Sequence, residues 1–107
     1  MTSVPTAITD KAEISVDFPD KAYMGAFGRH SSFDVRADAE SLMLKLEHAG
    51  DERRTVEIHL HYYLLADVLA SAAEAIARLG HLDNEHRGPL KDAAQSLAKA
   101  LRSLPAK

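Results

Sequence analysis

The stretch from Thr55 to Leu79 changes its pattern of apolar residues once, and no typical loop sequence stands at the change. Its first part alternates, with an apolar side at Val56, Ile58, Leu60 and Tyr62 and a polar side at Glu57, His59 and His61. Its second part spaces apolar residues by three or four positions, at Leu65, Leu69, Ala72, Ile76 and Leu79. The first spacing is typical of a half-buried strand and the second of an amphipathic helix. We therefore predict a strand that continues directly into a helix.

Alternating runs also precede this strand. Together they predict strands over about residues 12–18, 32–38, 41–48 and 54–62. Pro19 ends the first run, and short turns near Glu40 and Gly50 separate the last three. Because short turns join antiparallel neighbours, we expect a four-stranded antiparallel β-meander with one apolar and one polar face.

The register of the last two strands follows from their apolar residues and their charges. The apolar residues of both strands have to share one face, because a slip of one residue would turn every side chain over. Of the registers that remain, one places Lys45 opposite Glu57 and another places Glu47 opposite Glu57. Unlike charges directly across two strands stabilise the pair, and like charges destabilise it. We predict the register with Lys45 opposite Glu57.

Two amphipathic stripes predict helices over about residues 64–79 and 89–104. The first helix is aliphatic or alanine over most of its circumference and therefore needs two packing surfaces. We expect Gly80 to end it in a left-handed cap and Pro89 to open the second helix at its first position. The predicted fold class is α+β, an antiparallel meander followed by a C-terminal helical hairpin packed on one face of the sheet. A flexible N-terminal arm over residues 1–11 would precede a single domain over residues 12–107.

Composition narrows the partners that this chain is expected to bind. The formal net charge of −3 gives no general attraction to nucleic acid or to an anionic membrane. No apolar run is long enough for a membrane span, and no signal peptide is evident. The sequence has no cysteine, which excludes disulfides, thiol catalysis and thiolate metal ligands. We expect a cytoplasmic protein that binds neither nucleic acid nor membranes.

His59 and His61 stand two positions apart and form a pair of possible metal ligands. Glu57, two positions before His59, extends this row to three residues. Side chains two positions apart in a strand project from one face about 6.6–7 Å apart, a spacing that permits joint ligation of zinc or another divalent ion. Such an ion needs a third or fourth ligand and supporting hydrogen bonds. The alternatives are a solvated polar face and a buried or interfacial pH-responsive pair. We favour the solvated face and predict no cofactor.

The segment from Tyr23 to Ser32 is the second candidate site. Its glycines permit unusual backbone angles, and its polar side chains can bind an anion or a partner. The residues concerned are Tyr23, Phe27, Arg29, His30 and Ser31. The segment lacks the spacing and the lysine of a nucleotide phosphate loop. The simpler interpretation is a bulged connection with Tyr23 and Phe27 at the edge of the core.

These patterns favour a non-enzymatic protein-interaction domain over an enzyme. The broad apolar circumference of the first helix and the exposed edges of a short meander both indicate self-association, with a homodimer as the expected form. A protein partner would use the same surfaces. The alternative is a small-ligand or divalent-metal-binding protein that uses the polar sheet face around His59 and His61.

Overall fold

The computed structural model describes residues 5–50 and 52–105, and the chain divides into two compact units. The first unit ends at Val68 and the second begins at Leu69. This boundary falls inside a continuous helix, α1, which runs over Tyr62–Ala77. A single domain over residues 12–107 stays a prediction. Residues 1–4 of the predicted N-terminal arm lie outside the described residues.

Six strands lie in the described part of the first unit and form two antiparallel sheets. They are β1 (Thr6–Ala7), β2 (Ala12–Asp17), β3 (Ala22–Phe27), β4 (Ser31–Ala37), β5 (Ser41–His48) and β6 (Arg54–His61). The larger sheet has the order β1-β4-β5-β6, and β2 pairs with β3 in a separate hairpin. Two helices follow, so the predicted α+β class with an antiparallel sheet before C-terminal helices is confirmed.

The prediction of which four strands form the meander was wrong for its first strand. The run near residues 12–18 is a strand, but it pairs with β3 and not with β4. The fourth strand of the larger sheet is β1, where Thr6 lies opposite Phe33 inside the segment predicted to be an arm. The alternation of β3 is hard to detect because Gly25 contributes no side chain to the apolar side. Residues 22–27 are therefore a strand where we expected an irregular connection.

The register of β5 and β6 is the predicted one. Lys45 lies opposite Glu57, and Leu44 lies opposite Ile58. On the other side of β5, Asp34 of β4 also lies opposite Lys45, so that this lysine stands between two carboxylates across neighbouring strands. Unlike charges in such positions stabilise the pairing.

The apolar face of the larger sheet combines residues from three strands: Phe33, Val35 and Ala37 of β4, Leu42, Leu44 and Leu46 of β5, and Val56, Ile58 and Leu60 of β6. Of the described hydrophobic residues, Phe27 and Leu46 are the buried ones, with 1% and 7% of their surface exposed. Val35 and Ile58 remain more than a third exposed. The apolar face of the larger sheet, called the leucine face below, is therefore only partly covered.

Arg54 links the hairpin to the larger sheet within the first unit. Its guanidinium carbon lies 5.6 Å from the centre of the Phe27 ring, and its Nη2 donates a hydrogen bond of 2.8 Å to the carbonyl of Ala26. A Cβ atom at Gly25 would lie 3.5 Å from Cδ of Arg54. A side chain as small as that of alanine would therefore be in ordinary contact with Arg54 at this position.

The turn between β4 and β5 is held by Asp38. Its Oδ1 accepts hydrogen bonds of 2.8 Å from the backbone N–H groups of Glu40 and Ser41, and these bonds lower the pKa of the carboxyl. The hydroxyl of Tyr62 donates a 2.6 Å hydrogen bond to the carbonyl of Asp38. The first residue of α1 is thereby connected to this turn.

The two helices begin earlier than the sequence pattern indicates. α1 starts directly after β6, as predicted, and Gly80 has a φ of 76° beyond its end, in agreement with the predicted left-handed cap. The second helix, α2, runs over Asn84–Ser103, so Pro89 lies inside it and the predicted proline start was wrong. Asp83 caps this helix instead, because its side chain accepts a hydrogen bond from the N–H of His86.

No described residue of α1 or α2 is buried. The apolar stripes of both helices are correspondingly exposed, with Leu69 of α1 at 46% and Leu101 of α2 at 63%. Packing of a helical hairpin on the sheet stays a prediction.

Candidate functional site

The three predicted metal ligands share the polar face of β6. Glu57, His59 and His61 are all exposed, and Nε2 of His59 lies 3.5 Å from Oε1 of Glu57. This contact is an ion pair when the histidine is protonated. His61 contributes to lowering the pKa of Asp38, after the larger effect of the backbone hydrogen bonds. The polar end of β6 is therefore weakly linked to the β4–β5 turn.

The remaining histidine of the sheet lies on the other face. His48 lies opposite Ser31 and Arg54. It stands an even number of positions from Leu46 in the same strand and therefore lies on the apolar face. Its Nδ1 forms a 3.0 Å hydrogen bond with Oγ of Ser31. Within residues 5–50 and 52–105, no group of three or more histidine, cysteine, aspartate or glutamate residues is arranged to hold a metal ion. Metal binding by the row on β6 stays a prediction.

The five residues of the second candidate site have different surroundings. Tyr23 is half exposed on β3, whereas Phe27 at the end of the same strand is buried under Arg54. Ser31 is also buried, and its hydroxyl is bonded to His48. Arg29 and His30 are exposed between β3 and β4. The structure thus joins Phe27 and Ser31 to the sheet, while the two basic side chains stay at the surface.

The turn that carries Arg29 and His30 has an unusual backbone. The N–H of Ser31 donates a 3.0 Å hydrogen bond to the carbonyl of Gly28, which closes a four-residue turn. His30, the third residue of this turn, has a φ of 71°. Among the described residues, it is the only one other than glycine that has a positive φ. A type II turn requires this angle and usually has glycine or asparagine there. A histidine at this position is mildly strained.

An apolar groove lies beside Arg54, and the sequence patterns did not indicate it. It has a volume of about 590 Å³ and is lined on the hairpin side by Ile14, Val16, Phe18, Tyr23, Met24 and Phe27. Arg53, Arg54 and Val56 line the opposite side. The Nε atom of Arg54 is buried without a hydrogen-bond partner among the described residues. Strand alternation in β2 and β6 was the available signal, but it does not show which sheets face each other.

The two edges of the larger sheet differ in length and in sequence. β1 has two residues and follows Pro5, so it offers a short edge. β6 has eight residues, Arg-Thr-Val-Glu-Ile-His-Leu-His, without proline, glycine or lysine, and its ladder with β5 is continuous. Short strands, proline and charged side chains, lysine above all, are among the devices that protect an edge from pairing with another chain. β1 is protected by its length and by Pro5, whereas β6 is long and has Arg54 and Glu57 as its charged residues.

The outer edge of β6 carries the backbone groups of its odd-numbered residues. The N–H of Tyr62 donates to the carbonyl of Glu40, which continues the β5–β6 ladder and shows that even-numbered residues of β6 bond to β5. The backbone groups of Thr55, Glu57 and His59 therefore point away from β5. Among the described residues, no strand pairs with this edge. These groups are available to another chain.

Comparisons with known proteins do not place this chain in a family. No protein family, no curated protein and no solved structure matches it significantly. Within the described residues, neither helix is both long and apolar enough to cross a membrane. The function is therefore inferred from the surfaces of the chain itself.

Proposed function

We propose that this chain is a non-enzymatic, cytoplasmic protein-interaction domain that self-associates. One observation carries the proposal: no described residue of α1 or α2 is buried, although both helices have an apolar stripe. Leu79, Leu90, Leu97, Leu101 and Leu104 are each between 46% and 65% exposed. Apolar surface of this extent is typical of an interface, and a two-fold dimer is the commonest way to cover it.

The energetics favour a partner for these stripes. Burial of apolar surface stabilises a protein by roughly 25 cal/mol per Å², or about 1.5–3 kcal/mol for a leucine that is fully covered. Most of the stability of helices in proteins comes from packing of the apolar face and less from helix propensity. α1 is especially suited to close packing, because Ala66, Ala70, Ala73 and Ala77 form a flank of small side chains. A second copy of the chain would supply a matching surface.

Sedimentation equilibrium at micromolar concentration tests self-association. We expect a mass of twice the 11.7 kDa of a single chain, decreasing on dilution. A mass that stays at the single-chain value across the dilution series would reject the proposal. Ala73→Glu should weaken the dimer if the alanine flank is in contact, because it buries a charge. Ser71→Glu, on the polar side of the same helix, is the matched control.

A second candidate function is supported by the polar face of the sheet. Glu57 and His59 are in contact there, and they line a cleft of about 420 Å³ together with Arg36, Asp38, Ser41 and Met43. Under this alternative, the chain binds a divalent metal or a small ligand through Glu57, His59 and His61. Elemental analysis of the purified protein tests it. Stoichiometric metal that is lost in the His59→Ala/His61→Ala variant would favour this function over the first.

A further inference from the structure

We infer that the chain dimerises through the outer edge of β6, which pairs antiparallel with β6 of a second copy, in a two-fold register centred on Ile58. This inference rests on the proposed self-association, and it places the two-fold contact at the edge of the sheet and not at the alanine flank of α1. The result is one continuous sheet of eight strands, in which the two four-stranded sheets meet at the two-fold axis. A second copy is the favoured occupant because the edge is complementary to itself.

The first support is the contrast between the two edges. β1 is two residues long and follows Pro5, whereas β6 presents eight residues without proline, glycine or lysine. Open backbone groups of Thr55, Glu57 and His59 lie along this edge, and the side chains of these residues are exposed. An edge of this length with open backbone groups is a template for another strand. The strand that is always present at equal concentration is β6 of another copy.

The second support is that side-chain direction limits the possible registers. Residues opposite each other in an antiparallel pair share a face, and a symmetric pair places one residue opposite its own copy. The polar and apolar faces of β6 continue across the axis only when residues of equal parity are paired. The three central choices therefore place Glu57, Ile58 or His59 at the axis.

Charge and strand length select among these three registers. With Glu57 at the axis, two carboxylates face each other, and like charges directly across strands destabilise the pairing. With His59 at the axis, the pairing extends only over residues 57–61, because Tyr62 already belongs to α1. With Ile58 at the axis, the pairing extends over residues 55–61. This register also places each Glu57 opposite the partner's His59, so that each carboxylate faces an imidazole that can donate a hydrogen bond and does not face another carboxylate.

The same register also gives consistent contacts on both faces. On the apolar face Ile58 meets its own copy, and Val56 lies opposite the partner's Leu60. On the polar face the two pairs of Glu57 and His59 use residues whose backbone groups point outward, so each pair also exchanges two backbone hydrogen bonds. Side chains and backbone are therefore satisfied by the same alignment.

Disulfide trapping in the full chain tests this register, since the sequence has no cysteine that could interfere. At the axis Ile58 forms a non-hydrogen-bonded pair with its copy, and the Cα atoms of such a pair are about 4.5 Å apart, within the range of a disulfide. We expect Ile58→Cys to give a disulfide-linked dimer under mild oxidation. Leu44→Cys is the matched control, because it lies opposite Ile58 on the same face but about 14 Å from its copy, three strand spacings away.

A second pair of variants keeps the test independent of the loss of Ile58. Glu57→Cys and His59→Cys are predicted to crosslink to each other when the two variants are mixed, because these positions face each other across the axis. Either variant alone is expected to crosslink poorly, since its own copy is about 8 Å away, beyond the reach of an unstrained disulfide.

The outcomes separate this inference from the proposed function. A dimeric wild-type mass, with crosslinking of Ile58→Cys and of the mixed variants but not of Leu44→Cys, supports both. A dimeric wild-type mass without crosslinking at either β6 test overturns the edge pairing and leaves self-association intact. Crosslinking of Leu44→Cys alone overturns it as well, because the axis would then lie on the leucine face. A wild-type mass of 11.7 kDa at every concentration rejects self-association itself.

Discussion

The sheet and the helices of this chain differ in how much of their own apolar surface they bury. In the first unit, Phe27 and Leu46 are buried, and Ser31, Asp34 and Ser41 are buried with them. In α1 and α2 no described residue is buried, although these helices contain 16 and 20 residues. The sheet thus obtains part of its core within one chain, while the helical stripes do not. A clear amphipathic pattern therefore shows which side of a helix is to be covered, but it does not show what covers that side.

The largest expected effect compares the core of the sheet with a helical stripe. Phe27→Ala should lower the free energy of unfolding by about 3–5 kcal/mol, because a fully buried ring is removed and a cavity remains. Leu97→Ala, at 46% exposure on α2, should cost much less in the monomeric state. Chemical denaturation at low protein concentration measures both. A cost for Leu97→Ala as large as that for Phe27→Ala, at a concentration where the chain is monomeric, would contradict the difference between the two regions.

A smaller effect is expected at two of the positions with positive φ, one in each region. His30 has a φ of 71° in the turn before β4, and Gly80 has a φ of 76° after α1. Gly80→Ala should destabilise the chain by about 1 kcal/mol, since a Cβ atom is unfavourable at positive φ. His30→Gly should stabilise it by up to about 1 kcal/mol, partly offset by the greater freedom of glycine in the unfolded chain. Thermal unfolding of the two variants should therefore shift the melting temperature in opposite directions. Destabilisation by His30→Gly would indicate that the histidine side chain contributes contacts that outweigh the strain.

The smallest expected effect is on the stability at low pH, and it comes from two carboxylates, one in each unit. Backbone hydrogen bonds lower the pKa of Asp38 in the β4–β5 turn, and the hydrogen bond with the side chain of His86, followed by its N–H, lowers the pKa of Asp83 at the start of α2. A pKa that is lower in the folded state contributes stability that is complete above the unfolded pKa and is lost as the pH falls through the folded pKa. Both contributions should therefore be lost progressively as the pH falls below about 4.

Melting curves between pH 6 and pH 2 measure this effect. Asp38→Asn and Asp83→Asn should each make the loss of stability at low pH shallower than in the wild type, and the double variant should combine the two effects because the sites lie in different units. An unchanged pH profile in a single variant would show that its carboxylate does not contribute to acid sensitivity.

Much of the first unit could be predicted from particular residues. The bounds of β5 agree with the predicted strand over 41–48, and the pairing of Lys45 with Glu57 is the predicted one. These features depend on alternation and on charges between neighbours in the sequence, so they are visible without coordinates. The candidate sites were less accessible. Arg54 was not singled out, because its role comes from Phe27 and Ala26, which lie far from it along the chain.

The sequence alone determined the types of four strands (β2, β4, β5 and β6) and of both helices, the direct passage from β6 into α1 and the left-handed cap at Gly80, because each depends on the periodicity or backbone preference of a short segment. Only the tertiary structure decided that β2 pairs with β3, that β1 joins β4, and that no described strand pairs with the outer edge of β6. Alternation shows that a strand has an apolar side, but it contains no information about which strand or sheet lies next to it. The start of α2 was missed for a related reason: Pro89 suggested a first position, while the hydrogen bonds of the Asp83 cap placed that start at Asn84.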